Sequence, residues 1–115
     1  MARIIFCGVI AALLAGCATS HYGRELPVIP LEATTYDCPA IALEIAKCDA
    51  FTKGIYAQWS DSKGRRFWGF MMDFGIGDHR ERNDALESAE RRRGELVTLG
   101  AAKNCPTPPP APTDD

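Results

Sequence analysis

Five cysteines and two histidines carry most of the nucleophilic, metal-binding and proton-shuttling capacity of this chain near neutral pH. The cysteines fall at Cys7, Cys17, Cys38, Cys48 and Cys105, the histidines at His21 and His79. A thiolate zinc site wants its ligands in closely spaced pairs. Nine residues separate Cys38 from Cys48 and no paired histidine accompanies them, so no metal site is expected. A catalytic thiol needs a base within hydrogen-bond reach. Cys48, His79 and an aspartate can be imagined together, but Cys48 falls on a helical packing seam, where an inert thiol is the default. The GIGD at residues 75–78 lacks the preceding strand and downstream lysine of a phosphate loop. No catalytic residue, no cofactor and a non-enzymatic protein are the expectation.

Cys17 stands apart from the other thiols because of what precedes it. From Ile4 to Gly16 the chain is apolar, behind the single basic Arg3. That run is shorter than the roughly 20 residues needed to cross a bilayer. A charged start, an apolar middle and a small-residue end have the form of a secretory leader. Leu14, Ala15, Gly16 and Cys17 resemble the lipobox of bacterial lipoprotein signals, a leucine, two small residues and a cysteine. The resemblance implies cleavage between Gly16 and Cys17, a thioether-linked diacylglycerol on the Cys17 sulfur and an N-acyl chain on its new amine. Several acyl chains, at about 0.8 kcal/mol per buried methylene, hold a domain on a membrane where one holds it only marginally. Signals of this kind with Asp after the cysteine keep their proteins in the inner membrane. Here Ala18 follows, which implies the inner leaflet of the outer membrane, facing the periplasm.

Loss of residues 1–16 would leave 99 of the 115 residues, enough for one small domain. Of 13 basic and 15 acidic residues only Arg3 departs, leaving 12 against 15 and a net charge of −3. Mild acidity gives no reason to expect a nucleic-acid partner. Residues 17–36, with Pro27 and Pro30 and no helical period, read as an extended lipidated tether. Residues 106–115, PTPPPAPTDD, read as a solvated, disordered polyproline-like tail.

Residues 37–105 must supply the domain. Cys38, Ile41, Ile45, Cys48, Thr52, Ile55 and Trp59 are spaced by threes and fours, one seam of a helix. Asp37 can cap it and Pro39 is tolerated in its first turn. A second helical period runs from about His79 to Lys103, opened by Asp78 and Glu81 and with Ala85, Leu86, Ala89, Leu96 and Leu99 on its apolar face. Arg92 or Arg93 must cross that stripe, stem on the apolar surface and head in water. Pro106 ends the helix near Asn104.

Export permits disulfides. If Cys38 pairs with Cys105 in an antiparallel hairpin, both arms are 22 residues long, about 33 Å of helix. Ile45 then faces Thr98, Ile41 faces Ala102, Trp59 faces Asp84, and the turn falls at residues 60–83. Cys38 and Cys48 are about 15 Å apart on one straight helix, beyond the roughly 7 Å a disulfide spans. Cys48 with Cys105 would misalign the arms. The expected pair is Cys38 with Cys105, leaving Cys48 as a buried free thiol or, alternatively, an intermolecular bridge.

The connecting stretch is apolar: Phe67, Trp68, Phe70, Met71, Met72, Phe74 and Ile76 among glycines. Such a surface does not stay in water as a simple loop. It either folds back over the open end of the hairpin, in one version with residues 52–70 as a β-hairpin, or forms a contact patch. The contact would be with a membrane, an envelope protein or a second copy, with Arg65 and Arg66 as interfacial anchors.

Tyr36, Asp37 and Cys38, the stretch Asp73 to Asp78, and Lys103, Asn104 and Cys105 together resemble a group of small bacterial lipoproteins of unassigned function. The likeness covers about 70 residues; Cys48 and the proline-rich tail depart from it. The expectation is an all-α protein, an antiparallel two-helix hairpin with an apolar connecting segment behind a cleaved leader and a flexible tether. Its expected role is structural or protein-interacting in the bacterial envelope. The alternatives are a membrane- or lipid-contacting module acting through residues 67–76, and an accessory subunit of a larger envelope complex.

Overall fold

The computed structural model describes residues 21–61 and 76–114. The leader, Cys17 and the contact-patch residues Phe67, Trp68, Phe70, Met71, Met72 and Phe74 lie outside the described residues, and Ile76 enters only as the first residue of a helix. The regular structure of the described residues is all-helical: α1 is Pro30–Thr35, α2 is Cys38–Asp61 and α3 is Ile76–Ala102. There is no strand among the described residues, and none of their helices is long and apolar enough to cross a membrane.

α2 starts where Asp37 accepts a hydrogen bond from the Ala40 N–H at 2.9 Å, satisfying a donor the first turn leaves orphaned. From there Ile41, Ile45, Cys48, Thr52 and Ile55 form one buried stripe, as threes and fours require. The opposing stripe on α3 is Ala85, Ser88, Ala89, Arg92 and Leu96. Three of those five are small, so the helices meet closely and the core holds few large side chains. Ile41, Ile45, Cys48 and Leu96 form its centre, with Val28, Tyr36, Val97 and Leu99 packed around it.

α2 continues as helix to Asp61, so residues 52–61 belong to no β-hairpin. α3 begins at Ile76, three residues ahead of the expected His79, which puts Asp78 inside the first turn. At its far end Asn104 takes φ +58°, the left-handed conformation asparagine tolerates better than most residues. The Cys105 N–H then donates to the Gly100 carbonyl at 2.9 Å and the Asn104 N–H to Ala101 at 3.2 Å, a Schellman ending. This turn folds Cys105 back beside Gly100, where its Sγ is bonded to Cys38 Sγ. On the chain-entropy estimate a closure across 67 residues contributes about 4 kcal/mol.

The same turn changes the register. Equal uninterrupted arms would set Trp59 beside Asp84; instead the Trp59 ring meets His79 edge-on, with centroids 4.6 Å apart. Equal arms require Cys105 to be helical, whereas the helix ends three residues earlier, at Ala102.

Both flanks of the domain depart from expectation more widely. Residues 21–36 do not run free as a tether. They lie along α3 in order: Arg24 on Glu81, the Glu25 N–H on Ser88 Oγ at 3.0 Å, and the Val28 N–H on Glu95 at 2.6 Å. Lys103 Nζ closes the series on the Tyr36 carbonyl. Within this arm α1 forms because Pro30 is preset for a first helical turn and Glu32 reaches back to the Ile29 N–H at 3.0 Å. Six residues are too few to show a period. Nor is the proline tail simply solvated. From Cys105 it returns along the helices, the Pro109 carbonyl accepting from Arg93 at 2.6 Å and Asp114 pairing with Arg82 at 2.8 Å.

Two helix glycines offer a direct check on the helices. A Cβ at Gly54 or Gly94 would meet nothing within 4 Å, so Gly54→Ala and Gly94→Ala should each raise unfolding free energy by about 1 kcal/mol in urea denaturation. A loss at either position would mean that α2 or α3 is not continuous there.

Candidate functional site

Arg92 sits on the buried stripe of α3 with its side chain only 8% exposed. A guanidinium keeps its charge at any pH a protein meets, so burial obliges the chain to surround it with acceptors. Its Nη2 donates to Glu32 Oε1 and to Glu44 Oε2, each at 3.0 Å. Its Nη1 donates to the Leu26 carbonyl at 3.0 Å, and Glu25 stands 3.8 Å from its Nε. One side chain of α3 thereby holds the arm, α1 and α2. A stem along the stripe and a head in water is what the sequence implies for Arg92 or Arg93; the carboxylates brought by the arm and α2 instead keep the Arg92 head inside.

The acidic partners respond as such geometry requires. The Arg92 bond, with the Ile29 N–H and the Tyr36 hydroxyl behind it, pulls the Glu32 carboxyl down to about 2. Glu44 is lowered as well, first by Lys47 and then by Arg92. The bond to Glu32 at 2.9 Å raises the Tyr36 phenol.

A second charged cluster lies toward the start of α3. Arg24 grips Glu81 with two bonds of 3.0 Å and reaches Asp84 at 3.4 Å, a fork-to-carboxylate geometry. Arg24 is raised and Glu81 lowered by that bond. Next to it the Arg82 guanidinium lies over two rings, 4.9 Å from the centre of Trp59 and 5.4 Å from that of Tyr56.

Along the other side of the helix pair runs an apolar groove of about 520 Å³, floored by Ile41, Ile45, Leu96 and Val97 and walled by Pro106 and Pro108 of the tail. At the Asp49 stretch of its lining, Asp49 accepts from Arg93 Nε at 2.7 Å. Prolines suit this wall because they have no N–H to leave unsatisfied against an apolar surface.

Of the residues with chemistry, Cys38 and Cys105 come together as a disulfide and Cys48 is a buried free thiol, raised chiefly by desolvation. His79 lies well toward the other end of α3 from Leu96, which packs with Cys48; the rise of 17 residue steps between them makes about 26 Å. Cys48 and His79 therefore form no constellation. Among the described residues no group of three potential metal ligands converges. The sequence reading missed the Arg92 clasp and the tail groove. A signal for the first was present, an arginine on an apolar stripe beside glutamates at 25, 32 and 44.

The clasp has a signed pH dependence. A carboxyl depressed when folded contributes stability that is complete above its unfolded value, about 4.3, and is lost as pH falls through its folded value. Stability should decline between about pH 4.5 and 2, and Glu32→Gln should flatten that decline. Arg92→Ala, which takes the shared cationic partner from Glu32 and Glu44, should cost about 2 kcal/mol at pH 7. Urea denaturation at a series of pH values checks both, and an unchanged slope for Glu32→Gln would remove Glu32 from the account. Comparison with known protein families, with curated proteins and with solved structures finds no match to this chain.

Proposed function

We propose that this chain is a bacterial envelope lipoprotein, an antiparallel two-helix hairpin with a non-enzymatic structural or protein-interacting role on the periplasmic side of the outer membrane. The observation that carries this reading is Leu14, Ala15, Gly16 and Cys17 at the end of a short apolar leader. The closed form of the domain supports it: a small core stapled by Cys38 and Cys105 suits an oxidising compartment. The hairpin is supported by the order of contacts, Cys38 with Cys105, Asp49 with Arg93 and Trp59 with His79, which ascend α2 as they descend α3. The exposed apolar side chains Leu26, Ile29, Leu31 and Leu43 offer a surface to a protein partner or a second copy.

Intact mass of the protein extracted from membranes tests the reading, with thiols alkylated under denaturing conditions before and after reduction. A chain beginning at Cys17 plus acyl groups, with one reactive thiol before reduction and three after, is expected. A full-length mass without acyl groups would overturn it.

A further inference from the structure

We infer that the protein stands end-on at a phospholipid surface, with the Trp59 and His79 end of its helix pair toward the bilayer and the disulfide end pointing away. This rests on the proposed lipid anchor at Cys17 and adds which surface the anchor presents.

The length of the leash between anchor and domain decides the posture. Were residues 17–36 free, some 20 residues would separate Cys17 from α2. Such a leash has a root-mean-square reach of about 25 Å and a far longer extended reach, enough to let any face approach the membrane. The arm is not free. It is held to α3 from Arg24 onward, and His21 Nδ1 lies 3.7 Å from Glu81 Oε1. The four residue steps from Cys17 to His21 reach at most about 14 Å. The anchor must therefore enter the bilayer within that distance of His21, whose imidazole lies against Glu81, six residues into α3. Ala102, at the other end of α3, is about 32 Å further along the axis.

Charge favours the upright posture. The chain without its leader is acidic, which disfavours laying its length on an anionic leaflet. The Glu81 end carries exposed Arg80, a cation suited to an anionic headgroup surface.

The test uses the lipidated full-length protein in vesicles of phosphatidylethanolamine and phosphatidylglycerol containing a headgroup-labelled acceptor lipid. A donor fluorophore is placed on Ser60→Cys or on Thr98→Cys, both exposed positions and about 27 Å apart along the helices. Energy transfer from position 60 should exceed that from position 98 at least twofold. In the Arg24→Glu background, where the first fixed point of the arm retreats from Glu81 to the Glu25 bond with Ser88, the ratio should fall while staying above one. Equal transfer in the parent protein, as if Leu26, Ile29, Leu31 and Leu43 lay on the bilayer, would overturn the end-on posture. An unchanged ratio in Arg24→Glu would overturn the role of the arm. Intact mass of the same sample separates the two readings: no acyl group on Cys17 sinks the anchor and this inference with it, whereas an acylated protein with equal transfer sinks the posture alone.

Discussion

A buried arginine cannot discharge itself, and the placement of Arg92 on the inner stripe of α3 sets a requirement that the rest of the chain meets. Glu44 alone could answer one arm of the guanidinium from α2. The remaining donors are met by bringing in Glu32 and the Leu26 carbonyl, both from the arm that Arg24 also fastens to Glu81. Once Leu26 and Glu32 are fixed, Val28 and Tyr36 fall against the core, and the Glu25 and Val28 N–H groups find Ser88 and Glu95. A polar obligation thus recruits apolar cover.

That cover matters because the helix pair is thin. Its buried apolar residues are three isoleucines, one leucine, two alanines and a cysteine, a small return for two helices of 24 and 27 residues. Small domains compensate for such cores with staples. Here there are three of different chemistry: a disulfide at one end, an ion cluster midway, and an arginine sandwiched by rings and an acid at the other. Each fixes α2 to α3 or fixes a flanking segment to α3, and together they span its length.

The regular part of this arrangement was legible from residue spacing. Ile41, Ile45, Cys48, Thr52 and Ile55 are a seam in the sequence and a buried stripe in the structure, since helical period alone decides which side chains share a face. Asp37 was readable as a cap for the same local reason. What escaped was set by contacts between distant segments. α1 is shorter than two turns, so no period could announce it. The prolines of the tail dictate an extended backbone yet say nothing of the surface it lies on. The register of Trp59 depended on where α3 stops, and a left-handed Asn104 moved that stop by enough to exchange Asp84 for His79. Arg92 was visible as an anomaly on the stripe; its partners were not, because their carboxylates come from segments lying 48 and 60 residues away.

The direction of the arm has a mechanical consequence. Its contacts with Glu81, Ser88, Arg92 and Glu95 run along α3 in the same sense as the chain, so a pull on the N-terminus directed past the start of α3 loads them side by side, in shear, and not one after another as in peeling. Bonds loaded together share the force and fail together, at a higher tension than a zipper would bear. Should they fail, the slack ends at Cys38, and the load passes through a covalent bridge into Cys105. The helix pair would then be drawn from the one end at which it is covalently closed.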